Sequence, residues 1–564
     1  MAAKSTLGEA LRFLRQRGFE PIASGGSVRT LEGSLRIKAE DVPVRIEISD
    51  WEFVTYPKLT LLSRPAFFPS RLSHIDAVGG LCYLTPGSVV LDRYDPAGSI
   101  ALCLQSAESV LNDIIADPQR NERAVEDEFL AYWGGGSKHG LALIGEVPSA
   151  SKIADVYVID TDEQRAKISF PIICAEVKEA TQIARALGGT VRLGSAARCW
   201  LASTDRYPVA PPNGLPTSVR SLFEYLKHWD PRLSQQVQRI LATEKQYLQR
   251  SLVTFAVRSP AGWLGFSFSI DAFRKAKGHR QLPKVCLQYL HRRGESIEIR
   301  RLSIMEVGAK FIHSRNLNHA SLIDKRVTIV GCGAIGGYLA QAFARLGAGA
   351  GRGELRLIDP GILEPGNLGR HWLGMDALFA PKASAVARAL RAQFPMSNFV
   401  ECENDVGEVA NLFDADLIID ATGIEAISEM INAKHMHLTA DRPPVLYTWV
   451  LGNGECVEGL WVDAARFGCY RCLRQPDGSN YRAERFPVLR EPPRTSRVGC
   501  QAVTPYAVVS PMAAAALATE FVIDWLKGSA SPRLRHRFQP NAEVHHPKDQ
   551  DMSRVAQCPA CTVH

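Results

Sequence analysis

The run Val327–Asp359, VTIVGCGAIGGYLAQAFARLGAGAGRGELRLID, limits what this chain can fold into more than any other part of it. A short β-rich segment, Val327–Val330, meets Gly331, Gly333 and Gly336 in the pattern G-x-G-x-x-G. An Ala/Leu-rich helical stretch follows, then a second strand-like segment that ends on Asp359. This order predicts a βαβ unit of the nucleotide-binding kind. The glycines permit a tight turn and let backbone N–H groups approach a phosphate at a helix N-terminus, while the acid after the second strand can hold a ribose hydroxyl. Taken alone, the pattern fits a dehydrogenase equally well.

The residues downstream separate the two readings. After Asp359 come PGILEPGNLGRH, APKASAVARAL, LIIDATG at 417–423, GCYRC at 468–472 and CPAC at 558–561. Asn367, Arg370 and Lys382 are donors grouped just beyond the glycine loop. Hydride transfer has no use for them, whereas attack on an α-phosphate needs positive charge and hydrogen bonds on developing negative charge. On these motifs Gly331–Cys561 resembles the adenylating domain of the ThiF/MoeB and ubiquitin-activating family. The resemblance implies a Rossmann-like fold, ATP and Mg²⁺, and adenylation of the C-terminal glycine of a ubiquitin-like protein. Carried over residue by residue, it implies that Gly331, Gly333 and Gly336 border the phosphates and Asp359 holds the ribose. Asn367 and Arg370 would contact the triphosphate and Lys382 would lie near the α-phosphate, Arg370 and Lys382 counting as catalytic. Gly361 and Gly423 stand where that family usually carries a second acid. Asp420 then remains as the metal candidate, set against a solvated strand-end aspartate.

The chain has thirteen cysteines in 564 residues. Without a leader-like N-terminus or an even framework at disulfide-module spacing, they point to a reducing cytoplasm. Cys469 with Cys472, and Cys558 with Cys561, form two C-x-x-C pairs. Four thiolates can close a tetrahedral structural zinc shell. The long separation leaves two unrelated pairs open, and the family resemblance implies one Cys₄ Zn²⁺ site. Cys500 follows the polar, Arg/Pro-rich segment Asn480–Arg497 and precedes an Ala-rich helical stretch. The resembled family carries its thioester-forming cysteine at this junction. Arg494, Arg497 and a helix start nearby favour a thiolate, against the alternative of a buried packing cysteine. Cys332, Cys402 and Cys456 read as packing residues.

The N-terminal third predicts an amphipathic helix over residues 5–17, with Leu7, Ala10, Leu11 and Leu14 on one face. The segment VPVRIEIS at 42–49 alternates strictly, and PKLTLLSRP at 57–65 reads as a further strand. A loop with His74 then Gly-Leu-Cys82, a short Asp-Pro segment and an amphipathic helix complete the pattern. Together these resemble a ubiquitin-conjugating domain, which implies Cys82 as its thioester cysteine and His74 as the histidine before it. Ile75 and Asp76 replace the Pro-Asn of the eukaryotic pattern, so the usual asparagine is missing. Cys103 falls at an apolar helix position and reads as core.

These readings divide the chain into a ubiquitin-conjugating-like α+β domain at 1–131, a middle α/β segment at 132–308, and a ThiF-type adenylation domain at 309–564. In the middle segment, 154–160, 169–177, 251–257 and 265–270 read as strands, and 218–229 and 233–251 as helices. It is either a catalytically silent adenylation-like fold or an accessory domain. The net charge of +7 is spread along the chain, which gives no sign of nucleic-acid binding. The most apolar stretch, Ala507–Thr519, stops at Glu520 and predicts a core helix, not a membrane span. The whole resembles the fused activating and conjugating enzymes of bacterial CBASS anti-phage operons and of bacterial ubiquitin-like operons. That implies a homodimer whose acylated partner is a ubiquitin-like protein or the C-terminus of a cGAS-like nucleotidyltransferase, with a target lysine as acceptor. The alternatives are a sulfur-carrier adenylyltransferase that forms a thiocarboxylate, and a nucleotide-binding scaffold.

Overall fold

The computed structural model describes residues 2–561 apart from 26–27, 69–72, 76–78, 135–138, 149, 162–167, 193–196, 210, 212–213, 277–280, 439–441, 464–465, 477–481 and 499–500. The chain divides into two units. One comprises Met1–Asp160, Ile168–Val177 and Val191–Glu306, and the other Thr161–Lys167, Lys178–Thr190 and Val307–His564.

The first unit opens with helix α1 (Ala2–Gln16) and an antiparallel meander of β1 (Glu20–Gly25), β2 (Val28–Ile37), β3 (Glu40–Ile48) and β4 (Lys58–Leu61). The alternation at 42–48 does what it predicts. Val42, Val44, Ile46 and Ile48 are fully buried, while the residues between them face outward. Helix α2 (Pro96–Ala116) covers that face through Ile100, Cys103, Leu104, Ala107 and Leu111. It starts where it does because Asp95 accepts the Gly98 N–H at 2.9 Å and Pro96 fills the first turn. Helices α3 (Pro118–Asp127) and α4 (Phe129–Trp133) follow.

Helix α4 spans the boundary read at 131. Phe129 and Trp133 stack on Tyr225, with ring centroids 6.0 and 5.8 Å away, and the Trp133 indole N–H donates to the Gly265 carbonyl at 3.0 Å. In the middle segment seven strands close a ring of pairings. Its order is Ser169–Cys174, His139–Ile144, Ile299–Glu306, Gly262–Ser269, Leu252–Ser259, Ala197–Ser203 and Ile153–Thr161, the last pairing back to the first. Parallel and antiparallel neighbours alternate irregularly around it. The segment therefore does not repeat an adenylation sheet, which corrects the silent-adenylation reading. The helix expected over 233–251 ends at Thr243, because Tyr247 turns inward and its hydroxyl donates to the Leu241 carbonyl at 2.6 Å. The strand expected over 169–177 stops at Cys174, and Val177 already begins a helix.

The second unit holds a seven-stranded sheet in the order Phe399–Cys402, Glu354–Ile358, Arg326–Val330, Leu417–Asp420, Val445–Leu451, Cys456–Val462, Leu534–Phe538. The first five strands run parallel to one another, and the last two each pair antiparallel with the strand before them. The strands Arg326–Val330 and Leu417–Asp420 meet at the point where the chain reverses its winding, and open parallel sheets bind ligands at the carboxyl ends of such strands. The apolar stretch near the C-terminus lies in a helix over Val509–Leu526 that runs on past Glu520. Glu520 faces away from the core and pairs with Arg537 at 2.8 Å, while Leu517, Ala518, Phe521 and Val522 are buried with Trp461. By length and composition this helix is apolar enough to cross a membrane, with a mean hydropathy of 1.3, yet one of its faces belongs to the core of the unit.

Candidate active site

A cavity of about 540 Å³ lies at the carboxyl ends of those central strands, lined by Gly331, Gly333, Asp359, Gly361, Lys382, Asp405, Thr422 and Tyr506 among others. The glycine loop has its form for steric reasons. Gly331 sits at φ +89°, and a Cβ on Gly336 would land 1.8 Å from the Gly331 carbonyl oxygen. The helix Ala334–Arg345 then starts at the cavity wall, its capping residue Gly333 leaving backbone N–H groups turned towards the space. Lys382 is the first residue of the helix Lys382–Gln393 and is tied down by its own N–H, which donates to the Gly361 carbonyl at 2.9 Å. A Cβ at position 361 would lie 3.0 Å from Asp359 Oδ1 and 3.2 Å from Lys382 Nζ. Glycine in place of the family's acid thus leaves the ammonium room beside Asp359.

The structure brings Gly331, Gly333, Asp359 and Lys382 to one cavity and places the other expected residues differently. Arg370 flanks it, with its guanidinium 4.9 Å from the centre of the Tyr506 ring. The Asn367 side chain caps a turn, its Oδ1 accepting the Glu364 N–H at 3.0 Å. Asp420, the expected metal candidate, is held by its own neighbours. Its Oδ1 accepts the Thr422 N–H and hydroxyl at 3.0 and 2.6 Å, and its Oδ2 accepts the Ser428 hydroxyl at 2.5 Å. The residue is 1 % exposed and is absent from the cavity lining. Burial pushes its pKa up and the three hydrogen bonds oppose that rise. Asp420 therefore shapes the Thr422–Gly423 wall from behind.

Three contributors went unread in the sequence. His371 is buried, its Nδ1 accepts the Leu373 N–H at 3.0 Å, and its Nε2 therefore donates to the Cys332 carbonyl at 2.8 Å. Burial holds its pKa below the ordinary value, so the ring stays neutral and pins the glycine loop from outside. Asp405 lines the cavity from the loop that follows the strand Phe399–Cys402, where its Oδ1 also accepts the Gly407 N–H at 2.8 Å. Asn453 clamps the segment on both sides of Cys500: its Nδ2 donates to the Arg494 and Pro505 carbonyls at 2.9 Å each, and its Oδ1 accepts the Arg494 N–H at 2.8 Å. Of the three, only His371, next to Arg370 in NLGRH, had any local hint in the sequence.

Cys500 itself lies outside the described residues. Its flanks form an antiparallel pair, Ser496–Val498 with Gln501–Val503, and Pro493, Thr504 and Tyr506 wall the cavity. The helix expected to follow directly begins at Val509, so the described elements give Cys500 no adjacent helix start. Cys469, Cys472, Cys558 and Cys561 converge in the core, their sulfurs within 4.8 Å of one another. The Asn432 side chain and the Val555 N–H point at two of them, at 3.5 and 3.4 Å. Cys103, Cys332 and Cys456 are buried and burial raises their thiols, Cys456 to about 12, which suits packing and not nucleophilic roles. Cys402 is partly exposed.

In the first unit Cys82 is exposed at the surface of its loop. Its N–H donates to the His74 carbonyl at 2.7 Å, and Ile75 bridges Leu81. His74 and Cys82 are therefore neighbours through the backbone. Tyr83 anchors the next residue inward, its hydroxyl donating to the Pro57 carbonyl at 2.6 Å.

Residues 307–561 match the ThiF family and residues 23–140 match the prokaryotic E2 family B. Along its whole length the chain is 30 % identical to the ATP-dependent ubiquitin transferase-like protein Cap2 of Pseudomonas aeruginosa, the match covering 100 % of both chains. It is 24 % identical to the Escherichia coli protein of the same name over 93 % of this chain and 92 % of that one. A crystal structure of E. coli MccB with ATP is 20 % identical over 43 % of this chain and 68 % of that chain, with a TM-score of 0.33. With an adenylation-type sheet and a conjugating-type meander in one chain and a relative matching both from end to end, this chain belongs to the Cap2 family of ATP-dependent ubiquitin transferase-like proteins.

Proposed function

We propose that this chain uses ATP to adenylate the C-terminal carboxylate of a protein partner, carries the acyl group as a thioester on Cys500 and then Cys82, and passes it to a lysine amine. The observation that carries this reading is a cavity holding Lys382 beside Asp359 in the same chain as an exposed cysteine on a conjugating-type loop. A partner carboxylate oxygen attacks the α-phosphorus and pyrophosphate leaves. Lys382 and the N–H groups of the glycine loop meet the charge that builds up on the phosphates. A thiolate at Cys500 then displaces AMP, and Cys82 takes the acyl group by thiol exchange. Each exchange swaps one activated acyl for another of similar energy, which suits cysteine.

Mg²⁺ would neutralise phosphate charge when bound. Among the described residues the acids lining the cavity are Asp359, which is given to the ribose and the glycine loop, and Asp405, which would help to hold the ion. The four converging cysteines fit Zn²⁺: four of the six sulfur pairs are 3.3–3.9 Å apart and all lie within 4.8 Å, against an edge of about 3.8 Å for a zinc–thiolate tetrahedron with bonds of about 2.3 Å. Such a closed shell is structural and ties the C-terminal CPAC to the knuckle at 469–472. The partner classes that the family resemblance suggests are a ubiquitin-like protein or a cGAS-like nucleotidyltransferase, acting with a homodimer of this chain in anti-phage defence.

The test is protein co-expressed with the products of its neighbouring genes, incubated with ATP and Mg²⁺ and run on reducing and non-reducing gels. Cys500→Ala should lose every adduct, while Cys82→Ala should keep one reducible adduct. Adducts indifferent to both substitutions would overturn the relay.

A further inference from the structure

We propose that Glu128 is a positioning residue for the final transfer: it holds the His74 ring so that His74 Nε2 takes the proton of the amine attacking the Cys82 thioester. The inference rests on the reading of Cys82 as the thioester carrier. Glu128 stands between α3 and α4 and reaches back to the loop ahead of Cys82. Its Oε1 accepts from His74 Nδ1 at 3.0 Å, and its Oε2 accepts the His74 backbone N–H at 3.3 Å. A carboxylate on Nδ1 keeps the proton there and leaves Nε2 with a lone pair, the arrangement that lets an imidazole act as a base.

The loop is organised to present that ring. His74 sits at φ +60°, a left-handed conformation that a residue with a side chain holds only where its surroundings enforce it. Asn121, buried in α3, accepts the Ser73 N–H at 2.8 Å, and the His74 carbonyl accepts the Cys82 N–H at 2.7 Å. The His74 side chain is 37 % exposed, so an amine can reach it from solvent. Among the described residues, Glu128 is the charged group paired with His74, and Ser73 and Cys82 meet its loop through backbone groups. The asparagine of the eukaryotic pattern is replaced in sequence by Asp76, so a different device must serve the amine.

In the step itself the neutral amine's lone pair attacks the thioester carbonyl carbon, and its N–H proton passes to His74 Nε2. As the tetrahedral adduct collapses, the C–N bond is complete, the C–S bond breaks, and Cys82 Sγ leaves with the electron pair. The imidazolium then returns its proton to solvent.

The experiment uses the full chain with ATP, Mg²⁺ and its partner. The Cys82 thioester is formed first, excess ATP is removed, and the thioester is discharged onto free lysine from about pH 6.5 to about pH 9.5. Glu128→Gln should load normally and discharge about ten- to a hundredfold more slowly near neutrality. That deficit should shrink as pH rises and hydroxide takes over proton removal, and Glu128→Asp should recover part of the rate. Discharge unchanged in Glu128→Gln, or lowered by one constant factor at every pH, would overturn the inference. Should Glu128→Gln fail to load, His74→Gln carries the same test with Glu128 in place. Absence of a Cys82 thioester in the wild type would instead overturn the reading on which the inference rests.

Discussion

Asp359 and Cys332 are joined directly: the aspartate Oδ2 accepts the Cys332 backbone N–H at 2.7 Å, tying the end of one strand to the glycine loop that follows its neighbour. Its Oδ1 accepts the Gly361 N–H, also at 2.7 Å. The residue suited to a ribose therefore closes the phosphate loop as well. Asp359→Ala leaves a buried N–H without a partner, at a cost of about 1–3 kcal/mol. The expected outcome is a lower thermal midpoint together with an ATP–pyrophosphate exchange rate reduced at least about tenfold. Asp359→Asn keeps an acceptor oxygen and should recover the midpoint better than the exchange. An unchanged midpoint in the alanine variant would refute the loop-closing role.

Asn453 offers a way to separate adenylation from thioester formation. It holds Arg494 and Pro505, one on either side of Cys500, and it does not line the cavity. Asn453→Ala should leave pyrophosphate exchange within about threefold of wild type and slow thioester formation about tenfold or more, since misplacing a reacting group is costly. Equal losses in both assays would show that the clamp serves the whole site.

The cysteine cluster predicts its metal content. Purified chain should carry about one zinc per molecule, and Cys469→Ser or Cys558→Ser should lose it and unfold at lower temperature. Cys456→Ser, at a buried thiol outside the cluster, serves as the control and should keep the zinc. Full zinc in either cluster variant would sink the Cys₄ assignment.

His435 makes the second unit sensitive to acid. Burial pushes its pKa down to about 4, and the Pro443 carbonyl on Nε2 at 2.8 Å offsets only part of that. In the unfolded chain a histidine titrates near 6.5. Below that value the unfolded state takes a proton that the folded state refuses. Stability should therefore fall as pH drops from about 6.5 to about 4, by on the order of 3 kcal/mol from this residue, and level off below that range. His435→Phe, which can keep the stack on Phe413, should flatten that slope in denaturant titrations at the two pH values. An unchanged slope would assign the acid sensitivity to other groups.

Much of the site was legible because its signals are local. Gly331, Gly333, Gly336 and Asp359 belong to one βαβ unit, so their spacing places them together, whereas Lys382, which opens the next helix, was read through the family resemblance. The conjugating-type meander was legible for a related reason, since strict alternation at 42–48 dictates which face is buried. The middle segment resisted. Its strands were recognisable, but a strand's sequence carries little information about its partner, and the closed ring depends on pairings such as Ile153–Thr161 with Ser169–Cys174 that only the folded chain selects.

From the sequence alone, the nucleotide loop could be read from residue types at short fixed spacings, whereas the roles expected of the two C-x-x-C pairs and of the cysteines at 82 and 500 came from the family resemblance. The tertiary structure decided where the charges point. It turned Asp420 away from the cavity, brought Asp405 into it, set His371 against the Cys332 carbonyl, and gave His74 to Glu128. Those contacts join residues from separate elements, and packing alone determines which polar groups meet there and which are left facing the ligand.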